Sequence, residues 1–292
     1  MREIIHIIDT ADDGRQIKRV VRSRMQISHR VFSDLKAREG LVLDGIPVHA
    51  NHIVRAGQTI TLILLDEHSS FAEPEEGEVH FVYRDQDLMV INKQAPLPCQ
   101  SSAKQPGGTL ENRLMHLFSD APFVFRPVNR LDKGTSGLMV AAMHPHAQML
   151  LSRQLHGDNF VRVYQAIVCG IPNPPSGTID APIAKVQDAT VRREVCEDGR
   201  RAVTHYETLS QHGDLSLVQL RLETGRTHQI RVHMAHIGCP VFGDFLYGQE
   251  DERLPGRFAL HSTHLEIDHP MTGEHMQFDA PLPTELSQLL ED

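Results

Sequence analysis

Three stretches hold the residues best able to do chemistry. In NRLDKGTSG (129–137), Asp132 lies between Arg130 and Lys133 and runs into the turn Gly134-Thr135-Ser136-Gly137. A carboxylate beside bases is ordinarily a surface ion pair, but the turn residues behind it favour an exposed, tightly positioned group able to act as nucleophile or base. In VRVYQAIVCG (161–170) a strand period places Arg162, Tyr164 and Ala166 on one face and Val161, Val163, Gln165 and Ile167 on the other. The plain role for that tyrosine is an amphipathic core residue whose hydroxyl meets water. The third stretch, ETGRTHQIRVHMAHIGCPVFGDFLYG (223–248), carries Arg226 and Arg231 in one polar-apolar segment followed by a loop punctuated by Gly and Pro.

Several other chemistries lack their residues. There is no G-x-x-x-x-G-K-S/T phosphate loop and no G-x-G-x-x-G after a strand, so no nucleotide cofactor is expected. The segment around Ser136 fails as a nucleophile elbow, because that motif needs glycine where Leu138 stands. The 19 histidines raise a metallohydrolase alternative, with His228, His233 and His236 near Cys239. Their spacings match neither H-E-x-x-H nor a zinc finger, and no metal is expected.

Apolar residues at Val20, Val21 and Met25, then Val31, Phe32 and Leu35, recur at helical spacing, with Ser28 as N-cap of the second helix. LVLDGIPVHA (41–50) reads as a hairpin turning at Asp44-Gly45, and 58–65 as a further strand after Gly57. The Ser/Glu/Pro-rich stretch 66–78 reads as a linker. Beyond it, strands at VHFVYRD, LMVINK, VRVYQAIVCG, YETL and SLVQLRLE mix with helices at 110–118 and 147–155. The mixture lacks the regular alternation of a doubly wound fold, so the class is α+β.

With 292 residues, about two domains are expected. The content, 40% hydrophobic and 23% charged, excludes collagen-like and disordered chains. No apolar run approaches a membrane span, and the N-terminal MREIIHIIDT does not read as a secretory signal. Four scattered cysteines without a C-x-x-C pair fit reduced thiols in the cytoplasm. A net charge of −9 argues against nucleic acid, yet residues 13–38 hold eight basic side chains against two acidic ones. Stretch 66–78 holds six acidic residues and no Lys or Arg. Segregated charge reads as either a solvated helix face or a nucleic-acid footprint.

Taken together, these segments resemble the RluA-type family of pseudouridine synthases. The family pattern H-R-L-D-x-x-T-S-G is matched by NRLDKGTSG, the tyrosine strand by VRVYQA, and G-R-T-H-Q-I/L-R-V-H with G-x-P-x-x-G-D-x-x-Y-G by residues 225–248. The closing LHSTHLEIDHPMTGEHMQFDAPLP (260–283) is similar as well. The first 65 residues resemble the S-four-like (alpha-L) RNA-binding module often fused to such enzymes, through Asp13-Gly14, the basic helix pair, Ile27-Ser28, VLDGIPV and the Gly57 turn. Departures from the family are Asn129 for His, Arg162 for Lys, and the atypical Gln94 and Cys99-Gln100.

The resemblance implies an isomerase that acts on uridine in structured RNA, ribosomal ahead of transfer RNA, without a cofactor. It implies an S-four-like domain at 1–65, an acidic linker at 66–78 and a mainly antiparallel catalytic domain with a central cleft at 79–292. Asp132, Tyr164 and Arg231 are the implied catalytic residues, with a fork-shaped Arg231–Asp132 pair. Implied RNA contacts are Arg130, Lys18, Arg19, Arg22, Arg24, Arg30, Lys36, Arg226, His228 and Gln229. The alternative is a non-catalytic RNA-binding or ribosome-associated protein, which loss of Asp132 or Arg231 would have signalled.

Overall fold

A computed structural model describes residues 2–65, 69–157, 159–187, 189 and 191–291. The first part of the chain builds its own sheet and core. Strand β1 (Arg2–Ile7) is followed by helices α1 (Ile17–Ser23) and α2 (His29–Ala37), then strands β2 (Leu41–Leu43), β3 (Ile46–Pro47) and β4 (Thr59–Leu64). The sheet order is β1-β4-β2-β3. Ile60, Leu62 and Leu64 alternate inward from β4 onto Val20, Val21, Val31, Phe32 and Leu35. The Ser28 hydroxyl accepts the Val31 amide at 3.2 Å and starts α2 as expected. At the hairpin tip Asp44 and Gly45 both have positive φ, 47° and 83°, which is the turn geometry that matches strand twist. The edge strand β1 was absent from the sequence expectation of two helices followed by a sheet.

Part of the basic face is also tied to the interior. Arg24 donates through Nε to Asp12 Oδ2 at 2.7 Å, and Arg15 reaches Asp12 Oδ1 at 2.8 Å. Asp12 is fully buried, so Arg24 neutralises an interior carboxylate while its side chain stays 44% exposed. Lys18, Arg19, Arg22, Arg24, Arg30 and Lys36 are all exposed.

The rest of the chain forms a large sheet. Its strands are β5 (His80–Arg84), β6 (Leu88–Lys93), β7 (Arg126–Pro127), β8 (Ser136–Ala142), β9 (Val161–Cys169) and β10 (Ser176–Asp180). After the small β11 (Ile183–Lys185) and β12 (Arg193–Val195) hairpin come β13 (Val203–His212), β14 (Leu215–Leu222), β15 (Leu260–Asp268) and β16 (His275–Asp279). The order is β10-β13-β14-β9-β15-β8-β6-β5, with β16 on β15 and β7 on β8. Only the β15–β8 pairing is parallel among the described residues, so the sheet is mixed and mainly antiparallel. Helices α3 (Leu110–Leu117), α4 (Pro145–Leu155), α5 (Gln229–His236) and α6 (Thr284–Ser287) complete this α+β part. No helix among the described residues is long and apolar enough to cross a membrane.

The acidic stretch is not a free tether. Asp66, Glu67 and His68 lie outside the described residues, but 69–78 is strapped to the large core. The Ser70 amide donates to Phe123 O at 2.9 Å, Glu75 Oε2 accepts the Gly108 amide at 2.7 Å, and Ala72 is buried in the core beside α3. The two parts also meet directly. Arg2 grips Asp87 through Nε and Nη2 at 2.7 and 3.1 Å, and Arg153 on α4 donates to Gln26 at 3.0 Å. Met271, from the β15–β16 turn, packs on the small core.

Candidate active site

Asp132 sits in the loop that feeds β8, and that loop is tied down from both sides. The Leu97 amide donates to Lys133 O at 2.9 Å, the Thr135 amide closes the turn onto Asp132 O at 3.1 Å, and Cys99 Sγ donates to Leu131 O at 3.1 Å. Asn129 accepts the Val140 amide at 2.7 Å, so this departure from the family pattern serves as a buried strut. The glycines of the turn are required sterically. A Cβ on Gly134 would lie 2.6 Å from the Phe258 ring, and one on Gly137, at φ 105°, would lie 2.2 Å from Ser262 O on β15. Behind the loop Lys93 is 1% exposed and donates to Gln94 O and Leu97 O at 2.9 and 2.7 Å. Burial pulls its pKa down to about 8.

Arg231, on α5, meets Asp132 in the wall of a cleft of about 740 Å³. One guanidinium nitrogen, Nη1, donates to Asp132 Oδ2 at 2.9 Å. The expected two-point fork goes elsewhere. Nε and Nη2 bond Asp244 Oδ2 and Oδ1 at 2.7 and 2.8 Å, and Asp244 is fully buried. Asp244 Oδ1 also accepts the amides of Leu246 and Tyr247. Arg231 is thus a bridge: Asp244 holds it and a single arm reaches Asp132. Its Cζ lies 4.1 Å from the Phe258 ring centroid and 5.0 Å from that of Tyr247, packing a planar cation against aromatic faces. Burial opposes its charge, but the hydrogen bonds and charge of Asp244, then Asp132, outweigh burial and raise its pKa. Asp132 itself is 29% exposed toward the cleft, and its Oδ1 accepts no hydrogen bond among the described residues. The arrangement offers one restrained carboxylate oxygen and one open oxygen to a ligand.

Tyr164 lines the same cleft from β9, on the face predicted to carry Arg162, Tyr164 and Ala166, and that face is the buried one. It is 5% exposed, and burial pushes the phenol up, so it enters any reaction protonated. Arg162, also buried in the wall, has no partner for Nε among the described residues. Arg130 lines the mouth, is exposed, and makes no hydrogen bond or ion pair among the described residues. Arg226 lies on the rim with Nε on Arg201 O at 2.9 Å. His228 stands 3.9 Å from Asp132 Oδ2 through Nε2.

Gln229 is the clear exception among the expected RNA contacts. It is 3% exposed, its Nε2 donates to Val203 O and Thr204 Oγ1, and its Oε1 accepts Thr224 Oγ1 and the Arg226 amide. It pins the start of α5 to β13 and has no group left for RNA. Sequence reasoning passed over Asp244, Tyr247 and Phe258. The first two were available in GDFLYG, where an Asp follows Gly243 in the segment matched to the family.

A protein-family model described as RNA pseudouridylate synthase matches residues 87–236. The chain is 38% identical over 271 residues to an uncharacterized RNA pseudouridine synthase, YjbO, of Bacillus subtilis, covering 91% of this chain and 95% of that one. It is 38% identical over 266 residues to ribosomal large subunit pseudouridine synthase D of Pseudomonas aeruginosa, covering 86% and 82%. Among solved structures, human RNA pseudouridylate synthase domain containing 1 aligns with TM-score 0.58 and 27% identity, over 74% of this chain and 96% of that one. On these matches the chain belongs to the RNA pseudouridylate synthase family.

Proposed function

We propose that the protein isomerises uridine to pseudouridine in structured RNA, ribosomal RNA ahead of transfer RNA, with Asp132 as the reacting carboxylate. One observation carries the assignment: Asp132 lines the cleft, its Oδ2 restrained by Arg231 and its Oδ1 without a hydrogen bond among the described residues. The reaction breaks the bond from C1′ to N1 of uracil and joins C1′ to C5. C5 loses a proton and N1 gains one, so atoms balance without a donor or redox partner. A carboxylate serves this either by adding covalently or by assisting a glycal intermediate, and either route needs an ionised oxygen within reach. Tyr164 packs against the uracil and, being protonated, is placed to relay a proton. A stacked uridine is out of reach, so the base leaves its stack, and Arg130 at the mouth fills the vacated space.

Residues 1–65 act in this reading as an S-four-like RNA-binding domain of a cytoplasmic enzyme, with Lys18, Arg19, Arg22, Arg30 and Lys36 on phosphates. The ribosomal preference draws on the names of relatives such as the Pseudomonas aeruginosa large-subunit enzyme. Mapping pseudouridines in total RNA from cells with and without the gene tests the whole reading. Loss of sites in large-subunit ribosomal RNA is expected. Loss confined to transfer RNA would reverse the substrate order, and an unchanged map would overturn the assignment.

The basic face makes a separate prediction. Replacing Lys18, Arg19 and Arg22 with Gln lowers RNA affinity and flattens the log–log salt dependence by about 0.9 per lost duplex phosphate contact. Arg24→Gln acts differently: it strips a partner from buried Asp12 and lowers the thermal midpoint. An unchanged salt slope in the triple variant would mean a solvated face.

A further inference from the structure

His228 opens α5 on backbone that side-chain-bearing residues seldom adopt, φ 58° and ψ 20°. Such conformations persist where surrounding contacts over-determine them, and they concentrate at functional sites. Here those contacts also set the protonation of the ring. The backbone N–H of Arg193, on β12, donates to the Tyr247 hydroxyl oxygen at 2.9 Å. That hydroxyl lies 2.8 Å from His228 Nδ1. A carboxylate oxygen only accepts, so the arrangement that keeps a ring lone pair from facing Asp132 Oδ2 puts the ring proton on Nε2 and points the hydroxyl hydrogen at Nδ1. Nδ1 then accepts, and a neutral imidazole so bonded carries its proton on Nε2. Nε2 faces Asp132 Oδ2, the oxygen that Arg231 already holds.

The charged groups around the ring are Asp132 from the loop before β8, Arg231 on α5, Asp244 on the loop after it, and Arg193 on β12. Burial is the largest influence and, with Arg231, outweighs Asp132 to keep the pKa below its ordinary value. The ring is therefore a neutral donor near pH 7. A second full cation at Oδ2 would draw more electron density from the carboxylate that has to react.

We propose that His228 is a positioning residue for Asp132: its Nε2–H, fixed on that nitrogen by Tyr247, closes onto Oδ2 when the target nucleotide displaces water, leaving Oδ1 as the reacting oxygen. The 3.9 Å separation is about 1 Å beyond an ordinary N–H···O bond. Contacts of this kind are often long in an unliganded site and tighten in the productive complex. The inference rests on Asp132 being the reacting carboxylate, and it gives His228 a role other than the RNA contact expected from sequence.

Two isosteres separate the ring nitrogens. His228→Gln supplies an amide N–H near the Nε2 position, whereas His228→Asn supplies an acceptor near Nδ1. Single-turnover rates at saturating enzyme, RNA affinities and thermal midpoints are measured for both, with His228→Ala, wild type and Asp132→Asn alongside. The Ala and Asn variants are expected to lose about tenfold or more in rate, the lower end of the value of a hydrogen bond to a charged group, and Gln to stay within about threefold. Affinity stays at the wild-type value in all three. Rescue by Asn and not by Gln would mean that the ring only anchors Tyr247, and the proposal fails. Weakened RNA binding with an unchanged saturated rate would make His228 an RNA contact and also overturns it. A wild-type rate in His228→Ala beside an inactive Asp132→Asn defeats the His228 role alone. An active Asp132→Asn defeats that role and the underlying assignment together.

Discussion

Asp132→Asn is expected to lower single-turnover isomerisation by roughly 1,000-fold or more, toward the upper end of what a reacting acid–base or nucleophilic group contributes. The amide retains the size of the carboxylate, and its oxygen still accepts the Arg231 Nη1 hydrogen that Oδ2 accepts at 2.9 Å. It supplies neither a negative charge for covalent attack nor a basic oxygen for proton removal. The loop is held by the Leu97 amide, the Thr135 turn and the Cys99 thiol, none of which uses the Asp132 side chain. The thermal midpoint should therefore move little, since Asp244 still neutralises Arg231, and RNA affinity should stay within about twofold, because phosphate contacts and not this carboxylate dominate binding. Single-turnover kinetics at saturating enzyme, with a binding isotherm on the same RNA, checks both halves. Near wild-type turnover in this variant would falsify the assignment of Asp132.

What was legible in the sequence follows from how local each signal is. The Asp44-Gly45 turn, the Ser28 cap and the alternation that puts Tyr164 beside Arg162 are written within a few residues, and the structure places them as expected. The edge strand β1 was not legible, because Ile4, Ile5, Ile7 and Ile8 do not alternate cleanly. Only pairing with β4 shows which of them turn inward. The contacts of the acidic stretch were illegible for a related reason. Glu75 looks like solvated charge in the chain, but the Gly108 amide 33 positions away uses it. Gln229 sits in a motif whose neighbours face the cleft, and only the positions of Val203 and Thr204 on β13 reveal that its amide is consumed in the interior. Motifs report which side chains gather at a site; they do not report which partner each one takes.

Arg231 shows the consequence of that limit. Arg231→Lys is expected to reduce turnover by at least about 100-fold, a loss on the scale that follows when a reacting group is misplaced by about 1 Å. From the sequence, the argument would be loss of a fork on Asp132. The geometry puts the fork on Asp244, so lysine fails twice. It cannot span both Asp244 oxygens while also extending a donor to Asp132, since an ammonium is one point and not a plane with separate edges. It also lacks the flat face that packs 4.1 Å from the Phe258 ring centroid. Because lysine retains the charge, buried Asp244 is not left bare, and the variant should fold. Arg231→Ala would strand that carboxylate in the interior at a cost of about 3–5 kcal/mol. Asp244→Asn provides the matching test from the other side. It preserves the acceptor for the Leu246 and Tyr247 amides but weakens the grip on Arg231, so it should lower turnover without touching any group that meets RNA. Arg226→Lys, whose Nε rests on the Arg201 carbonyl at the rim, should leave turnover within about threefold, as loss of a single exposed bond does. If the 226 variant is crippled while the 231 and 244 variants work normally, the wrong arginine has been placed at the reacting carboxylate.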